Sequence, residues 1–143
     1  MARIIIADDD EIVGEIACDA LLESGYVAGL VTNGRDALRV IRAKKPDLVI
    51  LDCNMPEMSG LLVLRELRQS PDLCHTPVLI LTSRRSDKDV ELAHFQGADD
   101  YMKKPFDSTE LVFRVGELLA KRAQSGPAQR PRRQSGFGRF SPR

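Results

Sequence analysis

The chain has 143 residues, enough for one domain that buries its own core without disulfide or metal staples. Hydrophobic residues make up 43% and charged residues 29%, and the three cysteines, Cys18, Cys53 and Cys74, have no metal-ligand spacing and read as reduced thiols. The formal net charge is zero, and no apolar run is long enough for a spanning helix or a secretory leader, so a cytoplasmic protein without membrane insertion is expected.

Arg3 to Ala7 is a short apolar run that ends in the acidic cluster Asp8, Asp9, Asp10 and Glu11. Asp10 reads as the N-cap of the helix that follows, in which Val13, Ile16, Ala17, Ala20 and Leu21 recur at helical spacing until Gly25. Tyr26 to Val31 is a weaker strand, and the turn Thr32-Asn33-Gly34 leads to a helix with Ala37, Leu38 and Ile41 facing inward. Leu48 to Leu51, flanked by Pro46 and Pro56, runs directly into Asp52. An unbroken apolar run of this kind is the signature of a central parallel strand covered on both faces.

Leu61 to Leu67 supplies a third helix with Leu61, Leu64 and Leu67 on one side. The strand Val78 to Leu81 runs into Thr82 and Ser83, a helix over Asp87 to Gln96 closes at Gly97, and Ala98 to Met102 is a last short strand before Lys103-Lys104-Pro105. A final helix covers about Ser108 to Arg122, with Asp107 and Glu110 read as a capping box. Five strands alternating with five helices predict an α/β fold, a doubly wound five-stranded parallel sheet of order 2-1-3-4-5. The ligand site of such a sheet lies beyond the ends of its first and third strands.

That order gathers Asp8, Asp9, Asp52, Thr82 and Lys104 at the strand ends. Grouped carboxylates resist simultaneous ionisation unless a cation sits among them, and hard oxygen ligands without histidine or cysteine suit magnesium. Lys104 and Thr82 complete surroundings for a phosphoryl group on Asp52, a carboxylate able to act as nucleophile. Each has a plainer reading: a solvated loop face, a strand terminus, a surface charge. Their shared position at strand ends is what raises them. His75 and His94 lack partners at motif spacing and are read as structural.

Over residues 2 to 122 the chain resembles the receiver domains of bacterial two-component response regulators. The resemblance rests on Asp8-Asp9, on Asp52-Cys53-Asn54-Met55-Pro56 with Gly60, on Thr82-Ser83, on Gly97-Ala98-Asp99-Asp100-Tyr101 and on Lys104-Pro105-Phe106. It implies the flavodoxin-like receiver fold and a phosphorylation switch. Asp52 would accept a phosphoryl group from a sensor histidine kinase or histidine phosphotransfer protein. Mg2+ would be held by Asp9, Asp52 and the backbone carbonyl of Asn54, with Asp8 acting mainly through water. Lys104 would contact the phosphoryl oxygens, Ser83 would leave their pocket open, Thr82 would move toward them, and Tyr101 would rotate inward. The surface of the predicted helix over 87–96, the fifth strand and the last helix would then change and signal to a downstream protein. A cis peptide bond before Pro105 is also implied. The resemblance further implies that the protein would catalyse its own aspartyl phosphorylation and dephosphorylation, with no external metabolic substrate expected.

Leu92, Phe95 and Phe113 are read as extending a partner or homodimer surface beside Tyr101. No DNA-binding, cyclase or kinase pattern follows Arg122, so a stand-alone receiver, or one cut from a longer protein, is expected. Charge is segregated: residues 1–119 carry 21 acidic against 14 basic residues, a net of −7, whereas residues 120–143 carry seven basic residues and no acid. Residues 123–143 read as a disordered basic tail, in which Arg130, Arg132, Arg133, Arg139 and Arg143 with Phe137 and Phe140 offer at most weak nucleic-acid binding. Two other classes compete with the receiver: a small-molecule phosphatase or phosphotransferase working through an aspartyl phosphate, and a flavin-binding electron carrier of similar topology. The first lacks a cap domain, and the second needs a phosphate-cradling loop where this chain has an acidic cluster.

Overall fold

The computed structural model describes residues 1–83 and 97–129. Its elements are β1 (Arg3–Ala7), α1 (Glu11–Glu23), β2 (Val27–Val31), α2 (Gly34–Lys44), β3 (Leu48–Asp52), α3 (Gly60–Gln69), β4 (Val78–Thr82), β5 (Asp100–Lys103) and α4 (Ser108–Gln129). All strands are parallel and lie in the order β2-β1-β3-β4-β5, the predicted topology. The predicted helix over 87–96, with Leu92, His94 and Phe95, lies outside the described residues.

Strand alternation divides the core between the two sheet faces. Ile5, Ala7, Val49, Leu51, Val78 and Ile80 pack on Ala37, Ile41, Val63, Leu64 and Leu67 of α2 and α3. Ile4, Ile6, Leu48, Ile50, Leu79 and Leu81 pack on Ala17, Leu21, Leu111, Val115 and Leu118 of α1 and α4. All five residues of β3 and of β4 are buried, as strands covered by helices on both sides must be. Burying this apolar surface is the main favourable term holding the fold together.

Asp10 caps α1 as expected, its carboxylate accepting from the amides of Ile12 at 3.0 Å and Val13 at 3.3 Å. The inward face of α1 differs from the prediction. Gly14, Ala17 and Leu21 are buried, whereas Ile16 is 50% exposed. The cause is close approach: a Cβ on Gly14 would sit 2.4 Å from Leu30 Cδ1, so the helix lies on the sheet through its small residues and its bulkier isoleucines turn outward. In α3, Val63 joins Leu64 and Leu67 in the core, while Leu61 is only partly buried.

The last helix also departs from expectation. The Asp107 carboxylate accepts from Thr109 N–H at 2.9 Å, but Glu110 turns to Arg114, at 2.8 and 3.0 Å, so no reciprocal capping box forms. The helix runs on to Gln129, seven residues past the expected boundary at Arg122, so the proposed disordered tail is helical over 123–129. Arg122 donates to the carbonyl of Asp47 at 2.8 Å, fixing α4 at the sheet's N-terminal edge.

Candidate functional site

Three strands deliver the charged groups of the site. β1 ends at Ala7, and Asp8 begins the next loop with its amide bonded to the Val31 carbonyl at 2.9 Å. Its Oδ1 accepts from the amide of Asp10 at 2.9 Å, which orders the turn and leaves Asp9 on the exposed side. Asp52 is the last residue of β3 and is 5% exposed; its Oδ1 accepts from the Asn54 amide at 3.3 Å. The strand end is pinned from behind: Gly60 N–H donates to the Cys53 carbonyl at 3.0 Å, and a Cβ on Gly60 would lie 1.9 Å from the Asp52 carbonyl oxygen. Past β5, the amide of Lys104 donates to the Thr82 carbonyl at 2.7 Å, and the Lys104–Pro105 peptide bond is cis, as the resemblance implied.

The side chain of Lys104 points into the acidic cluster. Its Nζ lies 2.8 Å from Asp8 Oδ2 and 3.4 Å from Asp52 Oδ2. Asp8 is fully buried, so its Oδ2 meets the ammonium out of contact with water. Oxygen atoms of Asp8, Asp9 and Asp52 lie within 4.8 Å of one another. Three carboxylates face one ammonium. The donor set is all oxygen and the spacing is within reach of one small cation, while one ammonium cannot offset three carboxylates; together these fit a hard divalent ion.

Similarity to known proteins agrees with this geometry. The family model described as response regulator receiver domain matches residues 4–116. The transcriptional regulatory protein PcoR of Escherichia coli is 42% identical over 128 residues, covering 90% of this chain and 55% of PcoR. Response regulator MprA of Mycolicibacterium vanbaalenii is 41% identical over 119 residues, covering 83% of this chain and 51% of MprA. Among solved structures, the signal receiver domain of a signal transduction histidine kinase from Syntrophus aciditrophicus has a TM-score of 0.80 at 33% identity, covering 95% of this chain and 98% of that one. The chain belongs to the response regulator receiver domain family. It spans about half the length of the curated relatives it matches.

The electrostatics of this receiver domain follow from three acids sharing one base. Burial pushes Asp52 up to about 7, further raised by Asp8 and opposed by Lys104. Burial also works against the charge on Lys104, yet its contacts with Asp8 and Asp52 leave its pKa above the ordinary lysine value. The pair thus shifts in directions that look contradictory, since a simple ion pair would lower the acid. The single ammonium lies closer to Asp8, so it offsets only part of the cost of ionising Asp52 in a low-dielectric setting.

The remaining predicted site residues are Thr82, Asn54, Ser83 and Tyr101. Thr82 ends β4 fully buried, and its hydroxyl donates to the Ser83 carbonyl at 3.2 Å. Asn54 is exposed in the loop after β3, and Ser83 is exposed just past β4. Tyr101, on β5 beside Ile80, is partly buried against the core on the α2–α3 side. Phe113 on α4 is 65% exposed.

Two residues that organise the site's surroundings escaped the sequence reading. Arg68 of α3 donates to the carbonyls of Gly97 at 2.8 Å, Cys74 at 3.2 Å and Thr76 at 2.8 Å, and pairs with Asp99 at 2.8 Å. Arg114 of α4 pairs with Asp100 at 2.9 Å and donates to the Tyr101 carbonyl at 3.0 Å. Together they fasten the chain entering β5 to α3 and α4. The only signal in the sequence was a positive charge on a helix, which ordinarily means a solvated face.

Proposed function

We propose that this receiver domain accepts a phosphoryl group on Asp52 from the phosphohistidine of a sensor kinase or phosphotransfer protein. The observation that carries the reading is the meeting of Asp8, Asp9 and Asp52 with Lys104 at the ends of β1, β3 and β5. In the transfer an Asp52 oxygen attacks phosphorus, the P–N bond to the donor imidazole breaks, and the imidazole nitrogen keeps the electron pair and later takes up a proton. Asp52 must be ionised to attack, and burial opposes ionisation until positive charge is brought close.

Asp8, Asp9, Asp52 and the main-chain carbonyl of Asn54 would hold Mg2+, with Asp8 reaching it mainly through water. When bound there, the ion would supply positive charge that offsets the carboxylates and the phosphoryl oxygens. Lys104, already 3.4 Å from Asp52, exchanges its carboxylate contact for a phosphoryl oxygen. Thr82 gives up its bond to the Ser83 carbonyl and turns its hydroxyl toward the phosphoryl group, and the small Ser83 leaves room for it. Tyr101 follows into the space behind Thr82, changing the surface of β5 and α4 that a downstream protein or a second copy reads.

Intact mass after incubation with Mg2+ and acetyl phosphate tests the reading. A transient adduct of one phosphoryl group, absent in Asp52→Asn and in EDTA, is expected. Sustained hydrolysis of a small phosphate ester without dependence on Asp52 sinks it.

A further inference from the structure

We propose that the Arg-rich segment 130–143 of this chain docks on the outward face of α1, through its arginines on that helix's carboxylates and its phenylalanines on its exposed aliphatic side chains. The outward face of α1 carries Glu11, Glu15, Asp19 and Glu23, all exposed and spaced four residues apart. Like charges at this spacing repel, and no basic residue of α1 and no ion pair among the described residues offsets them. Burial first, and then the charges of Asp19 and Glu15, push the neighbouring Cys18 thiol up. Between these carboxylates stand Ile12, Ile16 and Leu22, 71%, 50% and 51% exposed. Close packing through Gly14 turns them outward. The surface therefore combines apolar area with one sign of charge, and its complement is a basic segment carrying large apolar side chains.

Residues 130–143 have that composition, with five arginines, Phe137, Phe140 and no acid. Their point of departure is also right. α1 and α4 pack side by side through Ala17, Leu21, Leu111, Val115 and Leu118, and both run toward the N-terminal edge of the sheet. Arg122 holds α4 at that edge through Asp47, whose carboxylate also accepts from the Arg3 amide. Residues 123–129 carry the helix about 10 Å further at the usual rise per residue. Fourteen further residues reach up to about 46 Å, ample to turn back along a helix of about 20 Å. The nearer arginines then meet Glu23 and Asp19, and the phenylalanines reach toward Leu22 and Ile16.

Amide spectra of the full chain test the contact without reference to phosphorylation. Replacing Arg130, Arg132, Arg133, Arg139 and Arg143 by alanine is expected to move the amide resonances of α1 from Glu15 to Glu23. Raising the salt concentration should move the same resonances of the parent in the same direction, and the tail substitutions should have no further effect in a Glu15→Gln, Asp19→Asn background. α1 resonances that ignore the tail substitutions overturn the proposal. So do shifts that vanish on dilution, which would mean contact with a second copy, and a single-stranded oligonucleotide that binds the tail while α1 stays unchanged.

Discussion

At the scale of single residues, the balance of charge around Asp52 governs how the protein responds to pH. Its pKa is raised by folding, opposite to the usual carboxylate, so the sign of linkage is inverted. The native state binds the proton more tightly than the unfolded chain, and the stability tied to it is present at low pH and lost as pH climbs from about 4 to about 7. In EDTA, Asp52→Asn is therefore expected to unfold at a higher temperature than the parent at pH 8, with the gap closing toward pH 5. Thermal unfolding followed by circular dichroism checks this, and equal midpoints at pH 8 contradict it. Arg68 behaves differently, because its guanidinium makes its four contacts with three carbonyls and one carboxylate. Arg68→Met leaves those acceptors without their charged donor and should cost about 2 to 4 kcal/mol, at the usual worth of charge-assisted bonds. Urea unfolding measures it, and a loss within experimental scatter would show the network to be dispensable.

At the scale of elements, the helix starts are where the site is positioned. Asp10 satisfies two amides at the start of α1 while the Asp10 amide orients Asp8, so cap and site share one turn. Asp10→Ala should destabilise the fold by about 1 kcal/mol, the typical worth of an N-cap. Acetyl phosphate labelling of the folded variant should persist, because the Asp8 contact uses the main chain. The start of α3 is less tolerant. Gly60 lies against the backbone of Asp52 so closely that any side chain must displace one or the other. Gly60→Ala is expected to lose most labelling of Asp52 even at temperatures where circular dichroism shows it folded. Normal labelling rates in that variant would mean that the end of β3 has more freedom than the packing allows.

At the scale of the whole molecule, the parallel sheet brings acids from separate strands to one edge, and a divalent ion bound there should tie those strands together. Saturating Mg2+ at a hundredfold excess over its dissociation constant stabilises the native state by about 2.7 kcal/mol if the unfolded chain does not bind it. The gain should shrink below pH 6 as protons compete at Asp52. Calorimetry at pH 8 and pH 5.5 distinguishes this from general ionic effects, which would appear equally with added sodium chloride.

The amino-acid sequence alone determined the strand order and the identities of Asp8, Asp9, Asp52 and Lys104. Continuous apolar runs mark strands buried on both faces, and the right-handed crossover leaves few ways to arrange five of them. It also determined the cap at Asp10, since capping depends on neighbours a few residues away. Only the tertiary structure decided which side of α1 faces inward. Periodicity weighs side chains by hydrophobicity, whereas the sheet accepts Gly14 and Ala17 at a distance that Ile16 could not enter. The same holds for Arg68 and for the contacts of Arg114 with Asp100 and the Tyr101 carbonyl, whose partners lie elsewhere in the fold, and for the run of α4 past Arg122. Contacts between distant segments settle such choices, and no local pattern records them.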